Sequence, residues 1–380
     1  MNPIFLDYNS TTPVDEEVLE SMLPFFRSHF GNAASHSHHF GWAAAEAVER
    51  ARAQVAQSIG AEQSEIIFTS GATEAINLAI KGVCESYASK GSHIILYSTE
   101  HKAVLDVGEY LKNKSIEVSV LPVLSDGTID LDQLKKTIRP DTILVCVMMA
   151  NNETGVLMPV KEVADIVHQS GALLFSDATQ AMGKIKVNIN ECGADLLCLS
   201  SHKIYGPKGA GALYKSRKNP RVHLTAQIHG GGHENNLRSG TLNVPAIVGF
   251  GKACELADKN VWEYARHTSF LRTLLEQELS SKHQIHINGT MRARLPNTSN
   301  ICFPNKPAEN VIKALHPIAV SSGSACSSAL PEPSHVLTAM GLTKEDALNS
   351  VRFSLGKNTS EEEIRIVTNR INEFLTIEIS

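Results

Sequence analysis

No apolar stretch in this sequence is long enough to cross a bilayer. The longest, ILVCVMMA at 143–150, falls well short of the roughly 20 residues that a membrane-spanning helix needs. Positive charge is not in excess either. Lys and Arg number 35 against 40 Asp and Glu, a formal net charge of −5. Nothing there would draw in nucleic acid, and the acidic surplus is too small to form a tail. No CxxC pair occurs among the seven cysteines, at 84, 146, 192, 198, 254, 302 and 326. Their odd number and wide scatter argue against a disulfide framework or a zinc knuckle. Most lie in apolar runs, as Cys146 does in LVCVMM, and read as small core residues. Internal repeats and low-complexity linkers are absent. The N-terminal MNPIFLDYNSTTP has no basic start and no apolar core of signal length. The expectation is a cytoplasmic protein with no membrane and no direct nucleic-acid partner.

What is present is ordinary globular material: 380 residues, 42% hydrophobic and 20% charged. That length suits roughly two to three domains and a large buried core. Short β-rich runs alternate with helical patterns over the first 250 residues. The runs are EIIFTS (65–70), HIILYS (93–98), IEVSVL (116–121), TILVCVMM (142–149), ALLFSD (172–177), DLLCLS (195–200) and GALY (211–214). Amphipathic stretches such as 73–88 and 161–171 separate several of them. Such alternation predicts a mainly parallel sheet covered by helices on both faces, with nearly continuous apolar strands. After Pro245 the pattern changes to a long helix over about 246–281, β-like runs at 284–288 and 298–303, a helix near 308–315 and a closing helix from about Glu361. This reads as a second, smaller α+β unit bridged to the first by the long helix.

Ligands of open α/β sheets bind beyond the carboxyl ends of the strands, so the residues after each run carry the chemistry. EIIFTS leads into Gly71-Ala72-Thr73-Glu74 at a helix start, where small residues and unpaired N–H groups suit a phosphate. A plain helix cap gives the same string. HIILYS leads into His101, which suits stacking on a flat ligand or moving protons, or a solvated loop. The tract SHSHH (35–39) resembles a metal site but has no matched second set of ligands. TILVCVMMA ends in Asn151-Asn152, amides that suit a ligand oxygen or a turn. Asp177 ends ALLFSD, with Gln180 close behind. A carboxylate closing an apolar strand needs water or a partner, and a cationic ring nitrogen is one. DLLCLS runs into Ser201-His202-Lys203 in a loop held by Gly206, Pro207 and Gly209. A buried lysine there would have the lowered pKa that a Schiff base requires. Jointly, a phosphate cup, a stacking His, an Asp and a later Lys are the parts needed to hold pyridoxal phosphate.

At this point the residues resemble a family. LDYNSTTPVD (6–15), FGNAASHSHHFG (30–41), TSGATEAINLAIKG (69–82), TEHKAVLD (99–106), NNETGV (151–156), SDATQAMGK (176–184), LSSHKIYGPKGAG (199–211), GGGHENNLRSGTLN (230–243), SSGSACSSALPEPSHVL (321–337) and VRFSLG (351–356) are ordered along nearly the whole chain. They resemble the cysteine desulfurases of the NifS/IscS type, in the class V aminotransferase group of type I pyridoxal-phosphate enzymes. The resemblance implies a type I PLP-dependent transferase fold of the α/β class. Its large domain (15–255) carries a mainly parallel seven-stranded sheet. Its smaller α+β domain (1–14 and 256–380) carries an active-site cysteine loop at about 321–334.

The resemblance also implies roles. Lys203 would carry pyridoxal 5'-phosphate, Asp177 would pair with the ring nitrogen, and Gln180 with the ring hydroxyl oxygen. Asn152 would touch the cofactor and His101 would stack on it and shuttle protons. Ala72, Thr73, Ser200 and His202 would hold the phosphate. Thr241 would reach the phosphate of the other subunit, so a homodimer with shared sites is implied. Arg352 would clamp the substrate carboxylate, with Asn32 on the same side. The small, polar surroundings of Cys326 suggest a mobile, exposed segment, and the resemblance makes Cys326 the nucleophile that carries a persulfide. The implied activity is conversion of L-cysteine to L-alanine, with sulfur passed to acceptor proteins for iron–sulfur assembly, tRNA thiolation or related delivery, including sulfur modification of DNA. No intrinsic metal is expected, although Cys326 could bridge a cluster during transfer. The chain stops at Ser380, whereas housekeeping relatives often run on into a scaffold-docking extension. Rival readings are a selenocysteine lyase, an aminotransferase, or a non-catalytic scaffold that keeps the fold.

Overall fold

The computed structural model describes residues 3–218, 221–322 and 332–377. Ten strands and twelve α-helices lie among the described residues. The strands are β1 (Ile66–Thr69), β2 (His93–Tyr97), β3 (Glu117–Leu121), β4 (Thr142–Cys146), β5 (Leu173–Asp177), β6 (Leu196–Ser200), β7 (Gly211–Lys215), β8 (His286–Ile287), β9 (Thr298–Cys302) and β10 (Ser350–Ser354). The helices are α1 (Glu16–Arg27), α2 (His39–Ile59), α3 (Ala72–Ser86), α4 (Lys102–Lys112), α5 (Leu131–Thr137), α6 (Val160–Gln169), α7 (Ile189–Cys192), α8 (Val244–Ser280), α9 (Ala308–Leu315), α10 (His335–Ala339), α11 (Lys344–Leu348) and α12 (Glu361–Ile377).

The expected seven-stranded sheet is present, in the order β1-β7-β6-β5-β4-β2-β3. Pairing is parallel except where β7 meets β1 and β6. Side chains alternate between faces with the two-residue period of a strand. Ile94, Leu144, Leu173 and Leu196 join a core under α3 and α4. Their neighbours Ile95, Val145, Leu174 and Leu197 join the core under α2, α6 and the start of α8. Both faces being covered explains why β2, β4, β5 and β6 are buried at every position. The edge strand β3 instead exposes Glu117, a charge that discourages further pairing.

A three-stranded sheet, β10-β9-β8, sits over a third core. Leu271, Leu275 and Leu279 from the second half of α8 meet Ile301, Val351 and Phe353 there, with Ile364 and Val367 of α12. Strand β10 is formed by VRFS, a segment that the sequence marks as a motif but not as a strand. The N-terminal segment bridges to this region through Phe5–Ala319 and Asp7–Ser354. It then continues toward the ends of β5 and β6, where Thr12 N donates to His202 O. That crossing brings residues from opposite ends of the sequence into one place.

One buried ion pair fixes the loop between β7 and α8. Glu234 accepts two hydrogen bonds from Arg52 of α2, both 2.8 Å, and one from Phe68 N at 2.7 Å. Its side chain is 2% exposed, and Glu234, Asn235 and Asn236 all have positive φ. Removing one partner of such a pair leaves a buried charge uncompensated. Glu234→Gln is therefore expected to lower unfolding free energy by about 3–5 kcal/mol, read by urea denaturation; a loss below 1 kcal/mol would show that the pair is not what holds this loop.

Candidate active site

The adjacent strands β4, β5 and β6 end side by side, and each releases a polar residue at its carboxyl end. Asp177 closes β5 opposite Cys198 of β6, and a single 3-10 turn, Ser201–Lys203, follows β6 directly. The turn puts Lys203 inward, where its Nζ donates to Asn9 O and Ser10 O, each at 2.7 Å. Burial, and then the Arg352 guanidinium, push the Lys203 amine down to about 8, against the opposing pull of Asp177 and Asp7. An appreciable fraction of the amine is thus neutral and nucleophilic near physiological pH.

Asn9 is the hub of the site, 1% exposed. Its carbonyl oxygen also accepts from Gln180 Nε2 at 2.9 Å. Its side-chain oxygen accepts from Lys184 Nζ at 2.9 Å and Asn297 Nδ2 at 3.1 Å. Its amide donates to Asn152 O and Thr298 Oγ1. Lys184 completes a triangle by donating to Gln180 Oε1. Asp177 is buried, and its Oδ1 accepts from Thr179 N at 2.8 Å and Cys198 Sγ at 3.2 Å. The second carboxylate oxygen takes part in neither bond. Burial, followed by Asp177, raises the Cys198 thiol well above its ordinary range, so Cys198 is a neutral donor rather than a nucleophile.

The cup after β1 has a physical basis. Gly71 has φ +155° and ψ −179°, a region essentially open only to glycine, and the space in front of its missing side chain is empty to 4 Å. Ala72 and Thr73 begin α3 there, with Thr73 exposed. Gly211 of β7 pairs with Thr69 on one side and Ser200 on the other. That register brings Ser200 and the start of α3 to the same edge, a suitable place for an anion. His202 contacts Thr11 Oγ1 through Nδ1 at 3.1 Å, and burial, then Lys203 and Lys208, lowers its pKa to about 4. It is therefore neutral at pH 7.

His101 caps α4. Its Nδ1 accepts from Ala103 N at 3.1 Å, which puts the proton of the neutral ring on Nε2. The ring is exposed in this single chain. Arg352 of β10 is buried; Nη2 donates to Asp7 Oδ1 at 2.6 Å and Nη1 to Asn152 O at 3.1 Å, while Nε has no partner among the described residues. Asn32 and Thr241 are exposed, and among the described residues neither hydrogen-bonds to the Lys203 group. Cys326 lies outside the described residues.

Four residues of this neighbourhood had no role in the sequence reading. Asn9, Asp7 and Lys184 lie inside quoted motifs, but only the crossing of the N-terminal segment and the turn after β5 reveal their contacts. Glu100, directly before His101, is fully buried, accepts from Met148 N at 2.6 Å, and is pushed up to about 8 by burial and then by Asp177. It is therefore protonated at pH 7. A cleft of about 910 Å³ on the α8 side touches Lys184 and Lys203, with Asp15, Tyr205, Tyr264 and Lys357 on its walls. Its lining includes neither Asp177 nor His101. The donor set can receive an aldehyde at Lys203, a protonated ring nitrogen at Asp177 and an anion before α3. Among the described residues no helix is long and apolar enough to cross a membrane.

The class-V aminotransferase family pattern matches residues 4–367. The chain is 50% identical over 372 residues to the cysteine desulfurase IscS of Anaeromyxobacter sp. (strain Fw109-5), covering 98% of this chain and 92% of that protein. Among solved structures, a NifS-like protein superposes with a TM-score of 0.92 at 39% identity, over 99% of this chain and all of that one. The structure described as SspA in complex with cysteine matches with a TM-score of 0.82 at 34% identity, over 94% of this chain and all of that one.

The lowered pKa of Lys203 has a direct readout. In the cofactor-free protein, trace labelling with acetic anhydride, read by peptide mass spectrometry, is expected to modify Lys203 half-maximally near pH 8, well below an exposed lysine such as Lys208. Reactivity that rises only near the ordinary lysine value of about 10.4 would contradict the burial argument.

Proposed function

The chain belongs to the class-V aminotransferases and, within them, to the cysteine desulfurases of the NifS/IscS type, and from that premise we propose how its residues convert L-cysteine to L-alanine and pass on the sulfur. The enzyme is a pyridoxal-phosphate-dependent sulfurtransferase. Lys203 would hold pyridoxal 5'-phosphate through its neutral amine, with Asp177 on the ring nitrogen, Gln180 on the ring oxygen and Asn152 alongside. His101 would lie against the ring. The phosphate would sit before α3 on Ala72 and Thr73, with Ser200, His202 and Thr241 of a second subunit. That sharing fits the exposure of Thr241 and of Phe26, Phe30 and Trp42 in the single chain, and a homodimer is part of this reading. So is the division into a large unit over 15–255 and a smaller one over 1–14 and 256–380.

When bound, pyridoxal phosphate supplies an electron sink for the bonding pair released at the substrate Cα. Every other task falls to side chains. Arg352, with Asn32, would orient the substrate carboxylate; its Nε, without a partner among the described residues, is a donor still to be satisfied. Lys203, once its amine is displaced by the substrate, would carry the proton from Cα. The Cys326 thiolate would attack the substrate sulfur, forming an S–S bond as the Cβ–S bond breaks. The electron pair of the broken bond stays with carbon, a proton is delivered to Cβ, and alanine leaves. A persulfide remains on Cys326 for an acceptor protein.

The observation that carries this reading is that Arg352 and Asp177 lie within electrostatic reach of the Lys203 amine, with the described residues on either side of Cys326 fastened nearby. Ser321 exchanges backbone hydrogen bonds with Arg352, 3.2 and 2.6 Å. Ser334 Oγ donates to Glu153 Oε2 at 2.5 Å, and His335 Nε2 contacts Glu100 O at 3.0 Å. The segment that includes Cys326 thus leaves from the carboxylate clamp and returns to the residues next to Asn152 and His101. A relative described in complex with cysteine supports the substrate. The acceptor is taken to be a sulfur-relay protein, for iron–sulfur assembly, tRNA thiolation or a related route, and the enzyme is taken to act in the cytoplasm.

Two variants test the division of labour. Cys326→Ala should still bind the cofactor, and added cysteine should still perturb its absorbance, but alanine and sulfide production should fall by at least about a thousand-fold, as expected when a nucleophile is removed. Undiminished alanine production would remove Cys326 from the mechanism. Lys203→Ala should lose the covalent tether, so cofactor still fixed to the chain after borohydride reduction would place the linkage elsewhere.

A further inference from the structure

Lys184 is a buried lysine that the proposed reaction does not use. It is 2% exposed, lies next to Lys203, and is held inside the protein by a turn that ends β5. In that turn Ala181 N and Met182 N donate to Ala178 O, and Lys184 N donates to Ala181 O. Gly183 has φ +73°, and a side chain there would come within 2.9 Å of Ile204 Cγ2. The left-handed glycine turns the chain so that the next residue points inward. A lysine is an expensive residue to seal in such a place. Leucine or methionine would fill the volume without the desolvation cost.

Its contacts explain its presence. Lys184 Nζ donates to two oxygens, Gln180 Oε1 and Asn9 Oδ1. Burial, with Lys203 and Arg352 adding to it, drives the Lys184 pKa well below its ordinary value. A lysine nitrogen faces these oxygens only as a donor here. Gln180 presents its oxygen to Lys184 and its NH₂ group to the opposite side. The other end agrees: Gln180 Nε2 donates at 2.9 Å to Asn9 O, which is an acceptor only and also receives Lys203 Nζ. Asn9 is oriented in the same way, with its oxygen toward Lys184 and Asn297 and its nitrogen toward Asn152 O and Thr298 Oγ1.

We propose that Lys184 is a positioning residue of this active site, whose buried amino group holds the side-chain oxygens of Gln180 and Asn9 and so obliges Gln180 to turn its N–H bonds toward Lys203 and the ring oxygen of the cofactor. The inference rests on the reading of the site as one for pyridoxal phosphate. An amide free to flip would present its oxygen to an anionic ring oxygen for part of the time, a repulsive contact. Locked, it is a fixed donor at the atom where negative charge on the ring resides. The charged groups around Lys184 are Lys203 and Arg352, which disfavour its protonation, and Asp177 and Asp7, which act on Lys203 in the opposite sense.

The test uses the cofactor's own absorbance. Lys184→Met keeps the volume and removes the donors. It is expected to raise the pH midpoint of the bound cofactor's visible absorbance by about one unit, because the anionic ring oxygen loses its fixed donor. Cofactor release should quicken about five-fold or more, the effect of roughly one lost buried hydrogen bond. Combined with Gln180→Ala, Lys184→Met should add nothing to either readout, since it acts through Gln180. A second measurement tests the contact without cofactor. Melted with no cofactor bound, Lys184→Met and Gln180→Ala should together lose less than the sum of their separate losses, the sign of a direct contact. A midpoint and release rate unchanged in Lys184→Met, or effects that add in full in the double variant, overturn the inference. If the wild-type protein takes up no pyridoxal phosphate, the functional reading falls and the inference with it, whereas failure of the Lys184 variants alone leaves that reading standing.

Discussion

Three cationic side chains, Lys184, Lys203 and Arg352, are buried within one another's electrostatic reach, with Asp177 and Asp7 as the nearby carboxylates. Water would screen such a group of like charges, and its removal makes every proton there expensive. The two amines respond by giving up protons more readily, while the guanidinium cannot and takes Asp7 instead. From that single constraint come a nucleophilic amine at Lys203, a neutral ring at His202 and a rigid hydrogen-bond frame around Asn9. A cluster of this kind is costly to fold, and its persistence depends on the two well-packed sheets that enclose it.

The sheets divide that work. The parallel strands β4, β5 and β6 supply fixed ends from which Asn152, Asp177 and Lys203 emerge close together, because their register is set by uninterrupted ladders. The smaller sheet supplies Arg352 from β10 and, through the segment bridged to it, Asp7 and Asn9. Arg352 and Lys203 are therefore carried by different cores, joined by α8 and by the N-terminal segment. Ser321 and Ser334 flank the cysteine-bearing segment, and each hydrogen-bonds to a residue of this junction, Arg352 and Glu153.

Much of this was readable in the chain. Each of the seven apolar runs became a strand of the main sheet, usually shortened by a residue or more, as TILVCVMM shrank to Thr142–Cys146. The long helix, the pair of later strands and the closing helix also fell close to their expected places. Lys203 and Asp177 stood out because a charge directly after an apolar strand is unusual. Strand β10 was not read as a strand although Val351 and Phe353 alternate with Ser350, Arg352 and Ser354, because the run is only five residues long and its pairing partner lies some fifty residues away in β9. Asn9 and Lys184 gave no signal of their own, because one asparagine or one lysine says nothing about burial.

The order of apolar and polar residues by itself determined the strand set, the parallel architecture and the candidate chemistry at the strand ends, because periodicity and the cost of burying charge act locally along the chain. Which of those charges meet was decided only in three dimensions. The N-terminal segment crosses to the end of β6, the Gly183 turn points Lys184 inward, and β10 delivers Arg352 from far along the sequence. Each of these contacts joins residues whose separation in the chain carries no information about distance, and the burial they create is what sets the protonation and direction of every donor in the site.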